Sequence, residues 1–316
     1  MSRTPDKFHG LLLLNKPQGI TSHDAVDRVR HILVQRGVGH AGTLDPAADG
    51  LLLLIVGRAT KAARFFSALD KEYLAEIALG AESTTYDLEG LSPIAPIDPA
   101  MLPDRSAIES ALQSFVGTIT QQVPAYSAVH VDGERLYEKS RRGEEVALPE
   151  RTVRIDAIDL IEYNVGKLRL RVSCGKGTYI RSLANDLGKQ LGCGGYLSSL
   201  TRTCTGRFSL SQAHTLEELE VCKTESNLSS VIMPIDEALG FSSLTVGNEF
   251  GPLVHFGRRP TASDISAVQG EFKSGDHVLL KDARGLLLAI ATATIASTGL
   301  KADSQAEILT YERVLA

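Results

Sequence analysis

Residues 39–50 read GHAGTLDPAADG, a stretch of three glycines and a proline around one Asp-Pro pair. Gly39, Gly42 and Gly50 lift the steric limits on the backbone and Pro46 fixes the dihedral after Asp45, so this acid is expected to be held in one orientation. The stretch follows an amphipathic segment and enters the unbroken apolar run 51–56, an arrangement in which a rigid strand presents a loop for chemistry. Taken alone, it is also compatible with a Gly-Asp-Pro turn linking helix to strand.

On the N-terminal side, residues 8–15 read as a strand. Thr21 or Ser22 can cap a helix whose apolar positions Val26, Val29, Ile32 and Leu33 keep helical spacing. On the C-terminal side, 58–69 has a helical pattern and 73–79 alternates like a half-exposed strand. Residues 92–103, with four prolines, form a loop. Asp104 can cap a helix over 108–116. A proline-bearing strand or loop around 123–131 and a short basic helix over 135–142 follow it. Residues 153–163 and 167–173 look like neighbouring antiparallel strands, and 178–191 like a helix. In the tail, 278–280 and 286–290 pair as a hairpin around a turn at 282–285.

With 316 residues and 43% hydrophobic content, the chain can bury a large core and is expected to make more than one domain. The apolar runs 11–14 and 51–56 fall far short of the roughly 20 residues needed to cross a bilayer. The opening MSRTPDKFHG lacks an apolar region before a small-residue cleavage site, which points to the cytoplasm. Cys174, Cys193, Cys204 and Cys222 show neither paired spacing nor histidines at ligand offsets, so reduced thiols are expected rather than a metal or a disulfide frame. The net charge of -5 is unevenly divided: residues 1–215 carry 25 Lys and Arg against 24 Asp and Glu, whereas 216–316 carry 8 against 14. A near-neutral first part still permits binding of a folded RNA by shape.

Two further segments bear on Asp45. In KEYLAEIALG, Tyr73 starts a strand beside Lys71. In GKGTYIRSLANDLG, Tyr179 and Arg181 occupy the start of a helix. A guanidinium there could pair bidentately with a carboxylate from another segment, which makes Arg181 the natural partner of Asp45.

The segments GHAGTLDPAADGLL, KEY, STTYDLEG, VPAYSAVHVDGERLYEKSRRG and GTYIRSLANDLG, in this order and at these separations, closely resemble the bacterial tRNA pseudouridine synthase B family, whose members modify uridine 55 in the T arm of tRNA. The resemblance covers residues 8 to about 210 strongly and the remainder weakly. It implies an α+β fold with a mixed, largely antiparallel sheet in a catalytic domain over 1–240, a thumb-like RNA-gripping insertion about 121–150, and a small PUA-like β domain over 241–316. It also implies Asp45 as the catalytic aspartate, Tyr73 as the active-site tyrosine and Arg181 as the arginine partner. His40, Asp87, Tyr179, Leu200, Lys16, Arg141 and Arg202 are the residues it implies for substrate and RNA. The implied partner is the T-arm stem-loop of tRNA, bound by a monomer. No cofactor or metal is called for, because the reaction is an isomerisation without net electron transfer or hydrolysis.

Three positions depart from the family pattern: His130 where lysine is common, Glu134 where a basic residue is common, and Asp49 where Thr or Ser is usual. If Asp49 faces the cleft, its charge opposes ionisation of Asp45; otherwise it caps a turn toward solvent. Besides the isomerase, two other classes fit these residues: an RNA chaperone using the same cleft, and a carboxylate glycosidase or nucleosidase with Asp45 and Asp49 or Asp87 as its acid pair.

Overall fold

The computed structural model describes residues 6–91, 101–127, 129–131, 134–136, 142, 147–300 and 306–315. Its strands in chain order are β1 (Gly10–Lys16), β2 (Val38–Ala41), β3 (Asp49–Val56), β4 (Lys71–Leu79), β5 (Gly117–Gln122), β6 (His130–Val131), β7 (Glu134–Arg135), β8 (Glu150–Asn164), β9 (Lys167–Cys174), β10 (Gly195–Thr205) and β11 (Phe208–Ser209). β12 (Ser242–Val246), β13 (Ile265–Gln269), β14 (His277–Asp282), β15 (Leu287–Ala293) and β16 (Leu309–Val314) follow.

A nine-stranded sheet has the order β1-β3-β10-β4-β9-β8-β5, with β2 on β3 and β11 on β10. All its pairings are antiparallel except β3 with β10. The apolar runs of β1 and β3 follow from burial of both sheet faces, where alternation gives way to a continuous run. On one face Leu12, Leu14, Leu52, Leu54 and Val56 pack with residues of the helices Ser22–Leu33, Arg105–Gln113, Ile180–Gln190 and Leu216–Thr224. On the other, Leu11, Leu13, Leu51, Leu53 and Ile55 meet Phe66 and Phe208, together with Leu279, Ile290 and Leu315 of the C-terminal segment. That segment forms a five-stranded sheet, β13-β12-β14-β15-β16, with its own core around Leu244, Val278, Leu280 and Leu309. The two sheets are also joined by edge-on packing of Phe65 against Phe241 and His277 and by a 2.7 Å ion pair between Lys281 and Asp236.

Local signals act as their chemistry predicts at several points. Thr21 caps the helix Ser22–Leu33 in a reciprocal box with Asp24, and Asp104 caps Arg105–Gln113. β8 and β9 are antiparallel neighbours. β14 and β15 form the expected hairpin, its turn held by Arg284 and Leu286 N–H groups donating to Asp282. Other readings need correction. The 58–69 segment opens as a 3-10 turn, Gly57–Ala62, and only Ala63–Ser67 is α-helical. The strand before the proline-bearing region is β5, ending at Gln122 ahead of Pro124. Most of the basic segment 135–142, including Arg141, lies outside the described residues.

β3 has one edge covered by β1 and divides the other between two partners: β2 along 53–56 and β10 at Asp49 and Gly50. The loop 42–48 issues at this division. Gly50 has φ +96°, and a Cβ there would stand 2.5 Å from the carbonyl oxygen of Arg202 and 2.9 Å from its nitrogen, both backbone atoms. Gly50→Ala is therefore expected to lower the urea midpoint by an amount corresponding to at least about 1–3 kcal/mol of strain. An unchanged midpoint contradicts this close approach.

Candidate active site

Asp45 begins a turn closed by the Ala48 N–H, which donates to the Asp45 carbonyl at 3.1 Å, with Pro46 in the second position that its fixed φ suits. Gly42 and Gly50 take positive φ as expected, whereas Gly39 is an ordinary residue of β2. The N-terminal segment braces the turn. Gly19 N–H donates to the Pro46 carbonyl at 2.8 Å, and the Ser22 hydroxyl donates to the Leu44 carbonyl at 2.9 Å while accepting from the Leu44 N–H at 2.8 Å.

Arg181, in the first turn of the helix Ile180–Gln190, is buried and reaches back under this turn. Its Nε lies 3.0 Å from Asp45 Oδ2, without the alignment of a hydrogen bond, and its Nη1 donates to Asp87 Oδ2 at 3.3 Å. Nη1 also donates to the Thr85 carbonyl at 3.4 Å, and Nη2 to the Tyr126 carbonyl at 3.1 Å. The expected bidentate fork on Asp45 is thus replaced by a cation shared among two carboxylates and two carbonyls. A guanidinium in a first helical turn opposes the helix dipole by about 0.3–1 kcal/mol, which two facing carboxylates offset.

The two acids differ in environment. Asp87 is buried and also accepts from the Thr85 hydroxyl and, at 3.1 Å, from the Glu89 N–H. The Asp45 side chain keeps 40% of its surface exposed, and its one ion pair among the described residues is with Arg181. Partial desolvation of the carboxylate by the surrounding protein pushes its pKa up; Arg181 opposes that, Asp87 adds to it, and Lys16 opposes it. The like charge acting on Asp45 is therefore that of Asp87. Asp49 fits neither sequence-based alternative: it starts β3 with Oδ1 buried and unpaired, and its charge favours the protonated form of Lys16.

Asp45, Asp87, Arg181 and Leu200 line one pocket, completed by Ala47, Ala48, Leu88, Leu197, Ser198 and Ser199. Tyr73 is 8% exposed and packs in the core beside this pocket rather than lining it. Burial raises its pKa, against the influence of Arg202, which opposes a role in proton removal. Tyr179 precedes the helix, with its backbone N–H and C=O both engaged by the Gln121 amide at 2.9 and 3.0 Å. Burial lowers the pKa of His40, as do Arg202 and His23, and its Nδ1 has no partner.

Two residues expected on RNA are in the interior. Lys16 is 0% exposed and donates to the carbonyls of Pro17 and Ile20; Arg202 is 1% exposed and donates to those of Gly42, Thr43 and Leu51. With the donors turned onto backbone oxygens, neither head presents itself to a phosphate. His130 and Glu134 fall in the β6-β7 ribbon, where Glu134 pairs with Arg142 at 2.6 Å.

Residues that sequence reasoning missed are those that hold others. Ser22 carried a signal: it lies on the buried stripe shared with Ala25, Val26 and Val29, an unusual place for an unpartnered hydroxyl. Gln121 and the Tyr126 carbonyl carried none.

Residues 30–180 match the family model of the TruB family pseudouridylate synthase N-terminal domain, and residues 181–240 that of the tRNA pseudouridylate synthase B C-terminal domain. The chain is 45% identical over 231 residues to tRNA pseudouridine synthase B of Dehalococcoides mccartyi strain CBDB1, covering 73% of this chain and 76% of that protein. Identity to tRNA pseudouridine synthase B of Xanthomonas euvesicatoria pv. vesicatoria is 42% over 256 residues, covering 80% and 82%. A solved structure of a Cbf5-Nop10-Gar1 complex contains a similar chain, with TM-score 0.71 and 25% identity over 99% of this chain and 88% of that one. The chain belongs to the TruB family of pseudouridylate synthases, which are isomerases.

An attacking Asp45 must be ionised, so the acid limb of the rate–pH profile is expected above the ordinary aspartate value of about 3.9. Asp87→Asn removes the neighbouring negative charge and moves that limb to lower pH, whatever it does to the maximal rate. Single-turnover rates measured across pH read the shift; a limb that moves upward contradicts the assignment.

Proposed function

We propose that this protein converts uridine 55 in the T loop of tRNA to pseudouridine, with Asp45 as the nucleophile. The observation that carries this reading is a half-exposed carboxylate 3.0 Å from a buried guanidinium, at the mouth of a pocket with leucine walls. The relatives named tRNA pseudouridine synthase B support the choice of tRNA.

The target atom is inaccessible in a folded T loop, so the nucleotide must swing out, at an unstacking cost of about a few kcal/mol. Contact with aromatic faces offsets such a cost by about 1–3 kcal/mol per base. A neutral His40 is suited to fill the vacated place in the loop, while Leu197 and Leu200 flank the uracil and Asp87 meets its edge. Tyr73 backs the pocket floor. Asp45 then attacks either the ribose anomeric carbon or the uracil ring, dividing one difficult substitution into two easier steps. The bond from N1 to C1′ breaks, a bond from C5 to C1′ forms, C5 gives up its proton and N1 gains one.

Residues 1–240 serve in this account as the catalytic domain. The segment about 121–150 grips the RNA, and 241–316 act as a PUA-like module; the protein works as a cytoplasmic monomer. Among the described residues no helix is long and apolar enough to cross a membrane.

Asp45→Asn is expected to abolish pseudouridine formation in an unmodified T-arm stem-loop while leaving its binding near normal. Carbodiimide modification followed by primer extension maps the product. Turnover by the variant would refute the proposal.

A further inference from the structure

Arg202 and Ser22 both touch the backbone of the loop that carries Asp45, and neither lines the pocket. We propose that they are positioning residues for Asp45, holding its loop from opposite sides so that the carboxylate stands at the reacting centre. The inference rests on the reading of Asp45 as nucleophile.

The sheet itself creates the need. β2 leaves β3 at the pairing of Ala41 with Leu53, and β10 joins it at the pairing of Asp49 with Thr201 and Gly50 with Arg202. In the gap, the carbonyls of Gly42, Thr43 and Leu51 lack a neighbouring strand. The Arg202 guanidinium fills the gap: Nε donates to Leu51 at 2.7 Å, Nη2 to Gly42 at 3.1 Å and Nη1 to Thr43 at 3.4 Å. One planar fork thus ties the end of β2 to the start of β3 on either side of the loop, a task that the single ammonium of lysine cannot reproduce. Arg202 also sits opposite Tyr73 in the pairing of β10 with β4, so the group that fixes the loop also borders the tyrosine.

Ser22 works from the other side. Its hydroxyl exchanges two hydrogen bonds with the Leu44 backbone, as a strand neighbour would, on the residue immediately before Asp45. The oxygen is fixed in turn by the first turn of a helix that Thr21 caps. Displacement of a reacting group by about 1 Å costs on the order of a hundredfold in rate, so small motions of this loop are expected to be costly.

The test uses the full chain and a saturating T-arm stem-loop. Arg202→Lys is expected to lower the single-turnover rate about a hundredfold and Ser22→Ala about tenfold, with the stem-loop Kd within about threefold of the wild type. In Arg202→Ala, millimolar ethylguanidinium is expected to restore part of the rate. Weakened binding with the rate at saturation preserved overturns the proposal, because it makes Arg202 an RNA contact; rates near wild type in both variants overturn it as well. If the arginine variants do not fold, Ser22→Ala decides alone. Asp45→Asn is run in parallel: its retained turnover refutes the nucleophile itself, a result distinct from failure of the clamp.

Discussion

A buried cation has to be compensated, and the way Arg181 is compensated organises this protein's pocket. Of its two carboxylate partners, Asp87 is saturated with hydrogen bonds from Thr85, Glu89 and the guanidinium, and so acts as the permanent counterion. Asp45 receives an ionic contact without an aligned N–H and keeps much of its surface open. That division leaves one acid structural and the other available for chemistry. A tight bidentate pair on Asp45 would have lowered its nucleophilicity and occupied both oxygens.

The same arrangement separates the three classes of function open to these residues. A glycosidase needs two carboxylates with independent roles across a scissile bond, whereas Asp45 and Asp87 share a single guanidinium and Asp49 does not line their pocket. Membership of a pseudouridylate synthase family favours the isomerase among these classes. The pocket's leucine and alanine lining suits a planar base held away from water, so that a detached uracil can be rejoined rather than lost.

Much of the fold was legible because it depends on local chemistry: the runs 11–14 and 51–56, the caps at Thr21 and Asp104, and the hairpin turn at Asp282. β10 was not legible. Bulges between Leu197 and Ser199 and between Arg202 and Cys204 break its alternation, and its pairing with both β3 and β4 is set by residues far away in the chain, such as Leu79 opposite Gly195 and Asp49 opposite Thr201. The same pairing places Arg202, which the sequence suggested for RNA, in the interior. In a sequence, a basic residue near a catalytic motif suggests a phosphate, and only the division of the β3 edge between two partners exposes the backbone carbonyls that claim Arg202 instead. The neighbourhood of Asp45 and Arg181 could be anticipated from charge, but not the contribution of Asp87 to the shared cation, which depends on a turn with Tyr86 at positive φ.

The most direct measurement is a crystal structure of the protein with an unmodified T-arm stem-loop at a pH where turnover is arrested. A uridine swung out of the loop, its ring between Leu197 and Leu200 and an Asp45 oxygen in contact with the base or its ribose, is the predicted result. A loop with all its bases stacked, or a base seated away from the pair formed by Asp45 and Arg181, contradicts the account.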